Sequence, residues 1–175
     1  MNNYDWVDKF HQLYDKAIEQ YRAGNRVPAT YFNDDESAFL TGVGCTAQEL
    51  YDFAEDAVKY GEPSFGTTLL ITSARRDYFQ VIQKGKPSRR SIRMEDLPPK
   101  TAAMDGFVWL PRIIAKARAK LHGEMPADLM FGCGGDRNFL KSVSIHPADF
   151  LRYVWAAGDD DRKIIEFVKK QAGRA

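Results

Sequence analysis

Apolar side chains recur every three to four residues over most of this chain, which is the spacing of one face of an α-helix. In the first such segment Asp5 precedes the pattern and Gly24 follows it, and both residue types are typical of helix ends. A second segment runs from Leu70 to Ile82 with no turn signal, so it also predicts a helix. The apolar positions of the first segment are Trp6, Phe10, Leu13, Tyr14, Ala17, Ile18 and Tyr21.

Capping residues and prolines indicate where further helices begin. Thr46 and Glu49 have the spacing of a capping box, in which each side chain bonds to the backbone amide of the other residue. Pro111 and Pro147 suit the first turn of a helix, because the amide hydrogen that proline lacks would have no partner there. Aspartates are predicted to begin the remaining helices, namely Asp34 or Asp35, Asp136, and the run Asp159, Asp160 and Asp161.

The chain also aligns with itself at a shift of one hundred positions, which indicates one helical unit used twice. Some paired positions are identical, and others keep only the class of residue, as packing and capping would require. The identical pairs in the clearest stretch are Phe39 and Phe139, Leu40 and Leu140, and Val43 and Val143.

These patterns predict an all-α fold, with residues 1–175 forming a single compact helical domain. Two related units, about 5–60 and 107–157, would pack around a shared aromatic-rich core. Glycines and prolines among scattered charges make residues 84–105 a connector between them. A pseudo-twofold arrangement of the two units is compatible with this repeat.

The composition excludes several classes of protein. With 25 Lys and Arg against 24 Asp and Glu, the net charge of +1 leaves no global field to attract nucleic acid or anionic lipid. The 44% hydrophobic and 28% charged content is that of an ordinary globular protein. The first residues lack the basic and apolar segments of a secretory signal, and no segment approaches the length of a membrane span. We therefore expect a cytoplasmic protein without membrane association.

Cysteine and histidine are too few and too scattered for a metal centre. Cys45 and Cys133 occupy non-equivalent positions of the two copies, so we expect both thiols to be reduced. His11, His122 and His146 share no spacing with the cysteines that matches a zinc site. We predict neither a metal nor a cofactor.

The densest basic run lies between residues 75 and 93. Arg75 and Arg76 are followed by Tyr78 and Phe79 and then by five further lysines and arginines. Basic groups interleaved with aromatic rings are typical of proteins that neutralise phosphates and stack on bases. In the alternative, which the near-neutral charge favours, the rings face the core and the arginines are solvated or pair with acidic residues. We therefore do not expect nucleic acid as a partner.

The turn at residues 133–137 is the best candidate for a binding site. Cys133, Gly134 and Gly135 precede a helix start, where backbone amides could bind an anion and Arg137 could add a positive charge. In the alternative, which we favour, the glycines form a tight turn and Asp136 caps the helix. Cys133 could be an activated thiolate at this helix terminus beside Arg137, but the sequence shows no base for it, so we expect a buried, inert thiol instead.

Several motifs of the C-terminal third occur together in one known family. They are Trp109-Leu110-Pro111-Arg112, Cys133-Gly134-Gly135-Asp136, Phe139-Leu140, Phe150-Leu151 and the Asp-rich start of the final helix. With these motifs the chain resembles an uncharacterised bacterial family catalogued as a domain of unknown function. The resemblance extends in weaker form to residues 50–53 and 75–79. It implies a small, soluble, mostly helical protein, and it assigns no activity, substrate or catalytic residue.

Three hypotheses about function follow. The first is a non-catalytic cytoplasmic binding or interaction module, in which an arginine-lined cleft between the copies takes an anionic small molecule or an acidic peptide. The second is an enzyme with its reactive centre at Cys133 or Asp136, and the third is nucleic-acid binding through residues 75–93. Exposed aromatic residues would equally fit a homodimer face. The ligand-binding residues of the first hypothesis are Arg75, Arg76, Trp109, Arg112, Cys133, Gly134, Gly135, Asp136 and Arg137.

Overall fold

The computed structural model describes residues 4–174, and over this range the regular secondary structure is almost entirely helical. The prediction of a helical fold is confirmed. Two short 3₁₀ helices and one antiparallel pair of strands complete the described part. The elements are α1 (Trp6–Arg22), α2 (Asp34–Gly42), α3 (Ala47–Tyr60), α4 (Phe65–Val81), β1 (Ala103–Met104), β2 (Phe107–Val108), α5 (Leu110–His122), α6 (Gly134–Ser142), α7 (Pro147–Ala157) and α8 (Asp161–Gln171).

The chain divides into two compact units, Met1–Pro87 and Ser88–Ala175, which we call unit 1 and unit 2. Unit 1 contains helices α1 to α4, and unit 2 contains the strand pair followed by helices α5 to α8. The boundary between the units falls inside the predicted connector at residues 84–105. The single-domain organisation and the pseudo-twofold arrangement stay predictions.

The helix bounds follow the hundred-residue shift that the sequence indicates. Helices α2 and α6 span residues 34–42 and 134–142, so both ends differ by one hundred positions. Helices α3 and α7 begin at residues 47 and 147, and helices α1 and α5 end at residues 22 and 122. Among the described residues, three helices of unit 1 thus have counterparts in unit 2 with at least one end shifted by one hundred positions, whereas α4 and α8 do not follow this shift.

The turn after α2 and the turn after α6 have the same backbone conformation. Gly44 has a φ of 71° and Ser144 a φ of 56°, which is the left-handed region that glycine tolerates best. In both units the next amide donates to the carbonyl of the leucine five positions earlier, at 2.9 Å. The agreement at a shift of one hundred positions thus extends to a turn hydrogen bond as well as to helix ends.

Helix caps agree with the sequence at some ends and differ at others. The Thr46 and Glu49 capping box is present, with the Glu49 amide donating to Thr46 Oγ1 at 3.1 Å. Helix α2 is capped by Asn33 instead of Asp34 or Asp35, because Asn33 bonds to the Glu36 amide and Glu36 bonds back. The prediction that Asp136 caps α6 is wrong, since α6 begins two residues earlier, at Gly134, and Cys133 occupies the cap position.

The core of each unit lies between its first and third helices. Helix α1 packs against α3 in unit 1, and α5 packs against α7 in unit 2. No helix among the described residues combines the length and the apolar character needed to cross a bilayer. The most deeply buried apolar residues include Phe10, Ala17, Leu50 and Phe53 in unit 1 and Ile113, Ala117, Phe150, Leu151 and Val168 in unit 2.

Two carboxylates one turn apart on α3 have pKa values shifted in opposite directions. Burial raises the pKa of Asp52 to about 7, against a hydrogen bond from Gln48 Nε2 at 2.8 Å that favours the charged form. The pKa of Glu55 is lowered, chiefly because its carboxylate accepts a hydrogen bond from Lys59 Nζ at 2.7 Å. Folding therefore disfavours the ionised form of Asp52 and favours that of Glu55.

We expect Asp52→Asn to stabilise the protein above pH 7 and to have little effect at pH 4. Between the unfolded pKa of about 4 and the folded pKa, the native state holds a proton that the unfolded state has lost, so wild-type stability falls as pH rises. Glu55→Gln is the matched control with the opposite sign, because it removes a stabilisation present at neutral pH and lost in acid. Urea unfolding of both variants from pH 4 to 8 measures this, and a gain from Asp52→Asn that does not depend on pH would contradict it.

Candidate functional site

Helix α5 buries two lysines on the face that packs into unit 2. Lys116 and Lys120 are each 2% exposed, whereas a lysine ordinarily keeps its ammonium in water. They lie three and seven positions after the buried Ile113, so helical spacing turns all three residues toward the interior. This spacing is a visible signal in the sequence, but a pattern of apolar positions alone does not include the two lysines.

Lys116 forms a buried ion pair with Asp136. Its Nζ atom lies 2.5 Å from Asp136 Oδ2, and the Asp136 side chain is fully buried. The same oxygen accepts a bond from the Gly132 amide at 2.9 Å, and Oδ1 accepts one from Trp109 Nε1 at 2.9 Å. Both carboxylate oxygens are therefore satisfied, which is the condition under which a buried charge pair is tolerated.

The sulfur of Cys133 completes this arrangement. Lys116 Nζ lies 3.2 Å from Cys133 Sγ, so the ammonium contacts both the carboxylate and the thiol. Cys133 is partly exposed, so the expectation of a buried thiol at this position is wrong. We call Lys116, Asp136, Trp109, Cys133 and Gly132 the Lys116 cluster.

Trp109 reaches the cluster through an unusual backbone conformation. Its φ is 77°, in the left-handed region that a bulky residue rarely adopts, at the junction between β2 and α5. Its amide donates to the Ala102 carbonyl at 3.0 Å, which holds the junction against the strand pair. The resulting direction of the chain places the indole against the first turn of α6.

The Trp109 indole occupies the space that a side chain at position 135 would need, which is why this position is a glycine. A Cβ atom built on Gly135 would lie 2.5 Å from Trp109 Cζ2 and 2.8 Å from Cη2, which is well inside contact distance. A Cβ on the neighbouring Gly134 would meet nothing closer than Arg137 Nη2, at 3.9 Å. The two adjacent glycines thus have different roles, because only Gly135 is required by packing.

The two arginines of unit 2 that were predicted to bind a ligand both donate hydrogen bonds to backbone carbonyls. Arg137 Nη1 donates to the Gly132 carbonyl at 2.6 Å, and the Arg137 side chain lies against the start of α6. Arg112 Nη1 donates to the Pro98 carbonyl at 2.8 Å. Both guanidinium groups are therefore anchored to the backbone of unit 2, and Arg137 is itself buried.

Arg75 and Arg76 belong to unit 1, where each lies over an aromatic ring. Arg75 is 3% exposed, donates to Gln83 Oε1 at 2.7 Å and lies 5.0 Å from the centre of the Phe79 ring. Burial lowers the pKa of Arg75. Arg76 lies 4.8 Å from the centre of the Trp6 ring.

The basic run is therefore partly buried. Phe79 faces the core of unit 1, as the alternative interpretation of this run predicts. In unit 2, Arg93 bonds to Asp96 at 2.7 Å and to Glu95 at 2.8 Å, so part of its charge is compensated. Binding of nucleic acid through residues 75–93 stays a prediction that these contacts do not favour.

The structure brings together most of the predicted site residues of unit 2. Trp109, Cys133 and Asp136 are members of the Lys116 cluster, and Gly135 packs on it. Sequence reasoning missed Lys116, whose charge decides the role of Asp136. The cleft between the two copies stays a prediction.

Comparisons with known proteins give one match, to a family model over the C-terminal part of the chain. No curated protein and no solved structure matches the chain significantly. Within residues 4–174, no group of three or more His, Cys, Asp or Glu side chains could hold a metal ion. The weaker resemblance at residues 50–53 and 75–79 lies outside residues 96–175, the range that matches a family model. Residues 96–175 match the family described as a domain of unknown function (DUF5069), which confirms the predicted resemblance to a domain of unknown function.

Proposed function

We propose that the protein is a non-catalytic cytoplasmic binding module, and that unit 2 binds an anionic small molecule or an acidic peptide at the start of α6. The observation that carries this proposal is the combination of Gly134 and Gly135 with the Arg137 guanidinium beside them. The first amides of a helix have no partner within it, and here the Cys133 side chain does not cap them.

The charges at this helix start favour an anion. Asp136 is the acidic residue of the first turn, but it is buried and its charge is compensated by Lys116. The helix dipole and Arg137 therefore act on a ligand without opposition from that carboxylate. Gly134 and Gly135 are partly exposed, and the space beside Gly134 is open, so a ligand can approach the Gly134 amide closely.

We expect an anionic ligand to raise the melting temperature of the wild-type protein and to lose affinity in Arg137→Ala. A thermal-shift screen of mono- and dicarboxylates, phosphorylated metabolites and acidic peptides tests this, followed by calorimetric titration of each hit. Removal of one charged contact is expected to weaken binding about tenfold or more, which corresponds to about 1.5–3 kcal/mol.

Arg152→Ala is the matched control for that screen. It removes one arginine from α7 of the same unit, where the side chain is 41% exposed and pairs only at 3.4 Å with Asp149. We expect it to leave affinity unchanged, so an equal loss in both variants would indicate a general effect of charge. If no anion stabilises the wild type selectively, the proposal is wrong.

A second candidate function is a thiol-dependent enzyme with Cys133 as its nucleophile, favoured by the Lys116 ammonium at 3.2 Å from the sulfur. Asp136 is fully buried and held by three donors, so its role would be to position Lys116. We expect Cys133 to react with iodoacetamide at pH 7 at least tenfold faster than free cysteine, with the buried Cys45 as the internal reference. A rate no greater than that of free cysteine would exclude this candidate.

A further inference from the structure

The Lys116 amine and the Cys133 thiol lie in direct contact, and Cys133 is partly exposed. Their nitrogen and sulfur are 3.2 Å apart, with the lysine 2% exposed and the cysteine partly exposed. We propose that Lys116 and Cys133 are a covalent modification site, at which hydrogen peroxide joins the two side chains through a bridging oxygen as N–O–S. This inference is independent of the ligand proposed above.

The position of the lysine decides the outcome of oxidation. A sulfenic acid on an exposed cysteine usually condenses with a second thiol or is oxidised further. Here the other cysteine, Cys45, belongs to unit 1 and is buried, whereas the amine of Lys116 is already in contact with the sulfur. The oxygen that peroxide adds to Cys133 is therefore formed beside a nitrogen nucleophile held in place by Asp136.

The reaction balances with two molecules of peroxide. In the first step the sulfur attacks one peroxide oxygen, the O–O bond breaks, and sulfenic acid and one water result. Asp136 then accepts a proton from the Lys116 ammonium, which leaves a neutral amine. In the second step the O–H bond of the sulfenic acid and one N–H bond of the amine break, and the N–O bond forms. The two hydrogens and two electrons reduce a second peroxide, whose O–O bond breaks to give two waters. A dithiol reductant reverses both two-electron oxidations and restores the thiol and the amine.

Peroxide treatment followed by intact-mass and peptide mass spectrometry tests this proposal. The bridge adds one oxygen and removes two hydrogens, so we expect a gain of about 14 Da, against about 16 Da for a sulfenic acid. We also expect a peptide in which Lys116 is linked to Cys133, loss of tryptic cleavage after Lys116, and recovery of the original mass with dithiothreitol.

Variants separate this bridge from other oxidation products. Cys45→Ser is the matched control and should still give the gain of about 14 Da, whereas Cys133→Ser and Lys116→Arg should not. If Lys116→Arg fails to fold, the linked peptide from the wild type decides the question by itself. A wild type that shows only sulfenic or sulfinic acid at Cys133, or no oxidation there, would overturn the proposal.

Discussion

Asp136→Asn is expected to lower the free energy of unfolding by about 3–5 kcal/mol, the largest single effect that the structure predicts. Asparagine keeps the shape of the side chain and can still accept from Trp109 Nε1, but it leaves the Lys116 ammonium without a compensating charge. Lys116 is 2% exposed, so water cannot replace the lost partner. Urea unfolding of the full-length protein at pH 7 measures the change.

Asp149→Asn is the control for that measurement. The Asp149 side chain is 65% exposed and lies 3.4 Å from Arg152, so we expect a change within about 0.5 kcal/mol. If Asp136→Asn were no more destabilising than this control, the Lys116 ammonium would not depend on Asp136. The assignment of a charged pair inside unit 2 would then be wrong.

Gly135→Ala is expected to destabilise the protein by about 1–3 kcal/mol, whereas Gly134→Ala should be neutral or stabilising by up to about 1 kcal/mol. The new methyl group at position 135 would overlap the Trp109 ring, which cannot move freely because Nε1 is bonded to Asp136. At position 134 the methyl group would meet only Arg137 Nη2 at 3.9 Å, and alanine favours the helix over glycine.

This pair of adjacent substitutions compares packing directly, since both change glycine to alanine in the first turn of one helix. Thermal and urea unfolding of the two variants give the difference in stability. Equal effects of the two substitutions would contradict the close contact between Gly135 and Trp109. A large loss in Gly134→Ala would likewise contradict the open space beside that residue.

Helix positions could be predicted from the sequence because periodicity and caps are local signals. The capping box at Thr46 and the prolines at positions 111 and 147 place helix starts within one residue of the observed ones. The strand pair was missed because each strand has only two residues, which is too short for an alternating pattern. The left-handed Trp109 beside it depends on tertiary contacts that no local rule gives.

The candidate site was predicted in part for the same reason. The turn at residues 133–137 was visible as two glycines before a helix, but the role of Asp136 was not. An aspartate near a helix start is interpreted as a cap unless the sequence also reveals a buried cation that could pair with it. Here that cation is Lys116, which lies twenty positions away along the chain. A lysine on the buried face of an amphipathic helix indicates an acidic partner, which can lie far away along the chain.

The central claim is that Lys116 and Asp136 form one buried ion pair that positions Cys133. A double-mutant cycle with Lys116→Met and Asp136→Leu, measured by urea unfolding, tests it most directly. We expect each single variant to be strongly destabilised and the double variant to recover much of the loss, with a coupling free energy of about 2–3 kcal/mol. Effects of the two substitutions that add within about 0.5 kcal/mol would contradict the claim.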